Sequence, residues 1–368
     1  MDRRQFLQLT GCATMALVAQ GRIVSAEPAK DTRREVAYYK KLDDGTVECL
    51  TCPKKCKVLN QGRGICGNKL NDDGFYYSLV YAKPCTTNID PIEKKPLFHF
   101  LPGSQAYSLS TAGCNLGCSF CQNWQISQSK PEQLDSYNLT PKDIVEQAKK
   151  SEAKVIAFTY GEPIVFYEYM SDIASLARKS DIHSVMISNG YINPEPLTKL
   201  CKHLSAVKID LKAFTEEFYR KYCNASLQPV LDTLLTLKKI GIWFEVVVLI
   251  IPTLNDSAKE IKAMCEWIKN NLGDSVPVHF SRFHPEYKLK NLPMTPVKTM
   301  EDSRQIACDA GLKFVYLGNI PSHSAESTYC PDCKKTIIKR TGYRIAENLV
   351  KAGKCPFCSA LIPGYWNK

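Results

Sequence analysis

Three cysteines, Cys114, Cys118 and Cys121, stand in the run Thr111-Ala112-Gly113-Cys114-Asn115-Leu116-Gly117-Cys118-Ser119-Phe120-Cys121-Gln122-Asn123-Trp124. Their C-x3-C-x2-C spacing puts three thiolates on one short loop. Three thiolates can hold three irons of a [4Fe–4S] cube and leave the fourth iron without a protein ligand. An iron with an open position on a low-potential cluster can bind a small molecule and hand it an electron. A zinc knuckle also uses clustered cysteines, but it takes four protein ligands, and the neighbourhood of this triad offers no fourth.

Two further sets carry metal-like spacing. Cys49, Cys52, Cys56 and Cys66 lie in a glycine-rich stretch as C-x2-C-x3-C-x9-C. Four thiolates close a site, so structural zinc and an auxiliary iron–sulfur cluster both suit them, and spacing does not choose between the two. A pair of disulfide-closed hairpins is a third reading. At the other end, Cys330-Pro331-Asp332-Cys333 and Cys355-Pro356-Phe357-Cys358 are two C-P-x-C knuckles of zinc-ribbon or rubredoxin-like form. A module this small has little core of its own, so a metal, expected to be zinc, should supply its stability. Six of the 17 cysteines remain: Cys12, Cys85, Cys201, Cys223, Cys265 and Cys308. They fall mostly in apolar or helical stretches, where cysteine behaves as a small hydrophobe.

The elements that must hold these sets alternate. Candidate strands are 107–110, 155–158, 184–187, 207–211, 244–250 and 278–283, with a late one at 313–317. Helical patterns fill the gaps at 141–150, 165–178, 194–203, 227–240, 256–271 and 300–310. Thr140-Pro141 and Asn193-Pro194 are helix-start signals, and Gly241 is a stop. Alternation at this pitch means parallel β/α units. In β/α barrels the chemistry sits at the C-terminal ends of the strands, and the Cys114 triad follows the first one. Later strand ends carry Thr159-Tyr160-Gly161-Glu162-Pro163, Ser188-Asn189-Gly190-Tyr191 and Lys208-Ile209-Asp210-Leu211-Lys212, and the sixth strand carries His279. Glu162 offers a charged acceptor for a cationic amine. A charged pair such as Asp210 and Lys212 inside a barrel is unfavourable unless used or paired. Asn189-Gly190 also reads as a tight turn, and His279 as a hydrogen-bonded core histidine.

The triad resembles the signature of the radical S-adenosylmethionine (SAM) superfamily, with the usual aromatic, Phe120, between its second and third cysteines. The longer runs are more specific. They are Cys49 to Cys66, Asp90-Pro91-Ile92-Glu93-Lys94-Lys95-Pro96-Leu97-Phe98-His99-Phe100, Gly113 to Trp124, Phe158 to Pro163, and Ile362-Pro363-Gly364-Tyr365-Trp366. Together they resemble the radical SAM enzymes of the AmmeMemoRadiSam system, which are related to pyruvate formate-lyase activating enzymes. The resemblance covers residues 45–368. It implies a partial (β/α)6 barrel, a [4Fe–4S] cluster on Cys114, Cys118 and Cys121, and SAM held by Gly161, Glu162, Asn189, Asp210, Lys212 and His279. It also implies reductive cleavage of SAM to a 5′-deoxyadenosyl radical, an electron donor of flavodoxin or ferredoxin type, and the companion proteins of that system as partners. A glycyl-radical-enzyme activase and an iron–sulfur electron-transfer module are the alternative activities. The chain departs from the pattern at Tyr160, where glycine is usual, at Gly161, where asparagine is expected, and at Thr253, where glycine is expected.

With 368 residues and 44% hydrophobic content, the chain can bury one large α/β domain with small appendages. The expected division is a leader at 1–26, a Cys-rich region at 27–105, the barrel at 106–320 and the C-P-x-C module at 321–368. The net charge of +11 comes from scattered lysines, which points to a solvated basic surface and not to nucleic-acid binding. Asp2-Arg3-Arg4-Gln5-Phe6-Leu7 followed by a short apolar stretch and Val24-Ser25-Ala26 resembles a twin-arginine export signal, too short to span a membrane. This predicts a periplasmic protein, with a cytoplasmic one as the alternative, since SAM and low-potential reductants are cytoplasmic supplies.

Overall fold

Short, polar-rich segments open the described chain. The computed structural model describes residues 33–366. Six strands of two to four residues come first: β1 (Arg34–Glu35), β2 (Tyr39–Lys41), β3 (Val47–Cys49), β4 (Lys57–Val58), β5 (Lys69–Asp72) and β6 (Phe75–Ser78). They form two antiparallel three-stranded sheets, ordered β1-β6-β5 and β2-β3-β4. The sequence shows this region as loop, because strands this short carry no measurable alternation. Val36, Val47, Val58 and Tyr76 make a small core of their own, together with Cys49.

The main sheet has eight strands: β7 (Thr86–Pro91), β8 (Gln105–Ser110), β9 (Val155–Phe158), β10 (His183–Ser188), β11 (Ala206–Asp210), β12 (Trp243–Ile250), β13 (Val278–Arg282) and β14 (Val315–Gly318). From β8 to β14 they lie side by side in chain order and parallel, while β7 pairs antiparallel with β8. Val155-Ile156-Ala157-Phe158 is buried throughout, as a strand covered on both faces must be. The expected partial barrel is therefore present, with two additions. The late strand joins as the seventh parallel member, and β7 extends the other edge. β7 is hidden in the sequence because its residues are mostly polar or exposed.

The helices are α1 (Trp124–Ser127), α2 (Pro141–Lys150), α3 (Tyr167–Lys179), α4 (Pro194–Cys201), α5 (Glu216–Phe218), α6 (Gln228–Ile240), α7 (Ala258–Leu272) and α8 (Val297–Asp309). Local signals set their ends. Thr140 accepts from the Asp143 amide while the Asp143 side chain takes the Thr140 amide, a reciprocal cap. Gly241, at φ 78°, ends α6 in the left-handed conformation. Each long helix turns its apolar stripe to the sheet, as Ile144, Val145 and Ala148 do on α2. No helix among the described residues is long and apolar enough to cross a membrane.

After β14, three strands close the chain: β15 (Thr328–Tyr329), β16 (Thr336–Thr341) and β17 (Arg344–Asn348). This piece shares a core with the barrel. Phe98, Phe314 and Tyr316 pack with Cys330, Ile337, Cys355 and Ile362. Tyr365 exchanges backbone hydrogen bonds with residues 99 and 101, both at 2.7 Å. Arg340 on β16 is buried and donates to the Phe98 carbonyl at 2.8 Å and to Thr328 Oγ1 at 2.7 Å. Its guanidinium lies over the Phe98 ring, and its Nε is 3.8 Å from Glu93 Oε1.

Two outcomes follow. Arg340→Ala leaves Glu93 buried without its countercharge, which should lower unfolding free energy by roughly 3–5 kcal/mol in urea titration. The double change Arg340→Met with Glu93→Gln should recover much of that loss, and a single variant as stable as wild type would contradict the pairing. Separately, the four sulfurs of Cys330, Cys333, Cys355 and Cys358 lie within 4.8 Å of one another, a single-ion spacing. Elemental analysis of the full chain should find zinc there. Cys330→Ser with Cys333→Ser should remove that zinc and lower the thermal midpoint, and an unchanged midpoint would show that the metal supplies no stability.

Candidate active site

The triad loop leaves β8 through Gly113, at φ 91°. A side chain at Gly113 has no room: an added Cβ would lie 2.4 Å from Asn68 Oδ1 and 2.7 Å from the Cys66 carbonyl. Only glycine tolerates both the backbone angle and the contact. Three backbone hydrogen bonds fix the loop. Gly113 N donates to the Ile126 carbonyl at 2.9 Å, Gly117 N to Cys223 at 3.0 Å and Ser119 N to Tyr222 at 2.8 Å. Phe120, between the last two cysteines, is buried against the Phe218 ring.

The three thiols have unlike surroundings. Cys121 Sγ is 3.1 Å from Ser127 Oγ, and Cys114 Sγ accepts from the Leu116 amide at 3.4 Å. Burial, and then the charge of Glu162, push the Cys114 thiol up. A hydrogen bond from Cys223 pulls the Cys118 thiol down. Cys223, read from the sequence as a core cysteine, is fully buried in the main core as expected. It sits at the end of a π-helical turn (Tyr219–Cys223), beside Cys118. It does not line the cavity onto which the triad opens. The triad thus keeps three thiols on the cavity side, as a cluster with one open iron requires.

That cavity, about 510 Å³, lies at the C-terminal ends of the strands and collects every candidate of the triad and the strand ends. Glu162 follows β9 and is buried. Its Oε1 accepts from Ser188 Oγ at 2.8 Å and from the Ile164 amide at 3.1 Å, and its Oε2 accepts from the Asn189 amide at 2.8 Å. A carboxylate offers about four lone-pair positions, so one on Oε2 is left over. Burial raises this carboxyl to about 7. Asn189 is also committed inside the protein: its Nδ2 donates to Asn115 Oδ1 at 2.8 Å and reaches Cys114 Sγ at 3.8 Å. Asp210 sits between two lysines, taking Lys212 Nζ at 2.8 Å on one oxygen and Lys208 Nζ on the other. Burial works against its charge, but the two ammonium groups hold it at about 2. His279 lies on the cavity wall with Nε2 held 2.7 Å from Glu245 Oε2, and burial lowers its basicity. Its ring stacks on Tyr316 at 5.0 Å, so the core-histidine reading describes that nitrogen correctly.

The departures from the family pattern have local explanations. Tyr160 and Thr253 both adopt left-handed backbone, at φ 64° and 67°, where glycine would be unstrained. The Tyr160 hydroxyl donates to Asp90, and its carbonyl takes Asn123 Nδ2 at 2.8 Å, which offsets the strain. Thr253 N is held by Asp256 Oδ1 at 2.9 Å. Gly161 is packed so closely that a Cβ would lie 2.8 Å from Ser110 Oγ, which leaves no room for asparagine.

Sequence reasoning assigned no role to a second charged group at the cavity. There Asp90 pairs with Lys95 at 2.5 Å and Lys94 at 2.8 Å, beside Tyr160. Lys95 is almost fully buried, and burial lowers its ammonium to about 8. The only sequence signal was the density of charge in residues 90–95. Tyr343, at the tip between β16 and β17, also lines the cavity.

Comparison with known proteins agrees with this geometry. Residues 108–268 match the model of the Radical SAM superfamily. An uncharacterized protein of Methanocaldococcus jannaschii is 44% identical over 331 residues, covering 89% of this chain and 98% of that protein. The pyruvate formate-lyase-activating enzyme of Clostridium pasteurianum is 24% identical over 49% of this chain and 80% of the enzyme. The 4-hydroxyphenylacetate decarboxylase activating enzyme of Clostridium scatologenes is 26% identical over 35% of this chain and 41% of its own length. The expectation of export is corrected here. The twin-arginine-like residues lie outside the described residues, and radical SAM homologues are typically cytoplasmic. With the triad, the parallel sheet and these matches together, the chain carries a domain of the Radical SAM superfamily and is an enzyme that uses a [4Fe–4S] cluster and S-adenosylmethionine.

Proposed function

We propose that this enzyme is the radical SAM component of an AmmeMemoRadiSam-type system, with Cys114, Cys118 and Cys121 as the cluster ligands and the companion proteins of that system as partners. The observation that carries the site assignment is the single cavity shared by the three thiols, Glu162, Asn189, Asp210 and Lys212. The long runs at 49–66, 90–100 and 362–366 support the narrower family. The division into a Cys-rich region to residue 105, a barrel to 320 and a C-terminal module belongs to the same proposal. Similarity to several activating enzymes favours a second reading, activation of a glycyl-radical enzyme.

When bound, the cluster and SAM supply, after one electron from a flavodoxin- or ferredoxin-type donor, a 5′-deoxyadenosyl radical that takes a hydrogen atom from the substrate. The residues of the chain position it. Glu162 offers its remaining lone pair to the SAM ammonium, at a depth where a charge-assisted bond is strong. Lys212 uses one N–H on Asp210 and keeps others for an anion such as the SAM carboxylate. Asn189 steadies Cys114 through Asn115, and so sets where the open side of the triad points. Lys95 and Tyr160 face the substrate side.

Glu162→Gln keeps the size of the side chain, removes its charge and turns an acceptor into a donor facing amide or hydroxyl protons. SAM affinity should fall tenfold or more, a loss of about 1.5–3 kcal/mol, with iron content unchanged. SAM titration of the cluster EPR signal reads the affinity, and liquid chromatography of 5′-deoxyadenosine reads cleavage. Wild-type affinity in this variant would remove Glu162 from the SAM site. No deoxyadenosine from a fully clustered wild type under strong reductant would overturn the proposed cleavage.

A further inference from the structure

Cys49, Cys52, Cys56 and Cys66 lie in the N-terminal region near enough to act on one another electrostatically, and none lines the active cavity. Cys49 ends β3 and its amide donates to the Cys56 carbonyl at 2.9 Å. All four are free thiols, so the disulfide reading does not hold. Two buried polar groups lie beside them, and one of them has no hydrogen-bond partner. Lys69 is 2% exposed and donates to Thr51 Oγ1 at 2.8 Å. Among the described residues it forms no ion pair with a carboxylate; it faces Glu168 and the thiols of Cys49, Cys52 and Cys66. Tyr76 is fully buried, and its hydroxyl has no acceptor. That oxygen lies 2.7 Å, and Cys56 Sγ 3.8 Å, from where a Cβ on Gly64 would sit, so hydroxyl and thiol share one small space. An unpaired hydroxyl proton beside Cys56, and a buried ammonium that shares Thr51 Oγ1 with the Cys49 thiol, both favour negative charge on sulfur. Metal-bound thiolates supply it.

The spread of the sulfurs separates the two metal chemistries. Zn–S bonds of about 2.3 Å set tetrahedral thiolates ~3.8 Å apart. The C-terminal four meet that spacing, all within 4.8 Å of one another. The N-terminal four do not gather so closely, and neither do Cys114, Cys118 and Cys121. A cubane, with an iron at each of four corners, holds its thiolates further apart than one ion does. From this spacing, the unpaired Tyr76 hydroxyl and the buried Lys69 ammonium, we infer that Cys49, Cys52, Cys56 and Cys66 hold a second [4Fe–4S] cluster rather than zinc. The site adjoins the first: Cys66 and Cys114 line one cavity of about 600 Å³, and the Cys66 carbonyl packs on Gly113. Its assignment rests on its own residues and does not need the proposed partner system.

Acid-labile sulfide decides between the metals, since neither zinc nor a single iron brings any. Full-length chain reconstituted anaerobically with iron and sulfide should carry about eight sulfides, two cubanes' worth. The triple variant Cys114→Ala, Cys118→Ala, Cys121→Ala should keep about four, with a reduced EPR signal that SAM does not change. About four in wild type and none in the triple variant would overturn the inference and leave the triad assignment standing. Four in both would instead remove the cluster from the triad. Tyr76→Phe gives a reading that does not depend on the triple variant folding. Loss of a hydrogen bond to cluster sulfur should lower the reduction potential of the SAM-insensitive signal, and an unchanged potential would overturn the role given to Tyr76.

Discussion

A loop that presents three thiolates to one side cannot hold its own shape. Its backbone donors point away from the metal and must be satisfied by neighbours, or the loop collapses. Here the neighbours come from three directions. The helix after the loop takes Gly113, the π-helical turn takes Gly117 and Ser119, and Asn115 reaches the backbone of Tyr191 at 2.8 Å. Glu162 then joins the ends of β9 and β10 through Ser188 and Asn189, and Asn189 returns to Asn115. The site is a closed circuit of hydrogen bonds drawn from three adjacent strand ends. The parallel sheet matters because it brings those ends to the same level.

Charge inside the cavity follows the same economy. Asp210 with its two lysines, and Asp90 with the buried Lys95 and the exposed Lys94, form two charged groups at the cavity. Each carboxylate is outnumbered by ammonium groups, so the space between them favours anionic or strongly polar occupants. Glu162 is the exception. Among the described residues it forms no ion pair with an ammonium group, and burial raises its carboxyl to about 7, as suits a carboxylate that receives a cation from outside.

Much of this could be read from the chain. The parallel strands are short apolar runs, the helices open on caps such as Thr140, and the cysteine sets announce themselves by spacing. What stayed hidden has a common cause. Lys95 and Arg340 look like surface charges in sequence, because burial is a property of what packs over them. Cys223 lies far along the chain from Cys118 and sits in an irregular turn with no periodicity to mark it. β7 is polar and pairs only because β8 offers a free edge. The role expected of Asn189 shifted toward holding the triad, since its side chain is spent on Asn115.

Gly113 bears on how the molecule is made. Asn68 donates to the carbonyl of Ala112, and the Cys66 carbonyl abuts the next residue, so the two cysteine loops are in direct contact at Gly113. Synthesis runs from the N-terminus, and residues 49–72 leave the ribosome before 111–124. The earlier loop is then the template on which the later one sets. Damage to the first loop would therefore be felt at a catalytic site whose own sequence is intact.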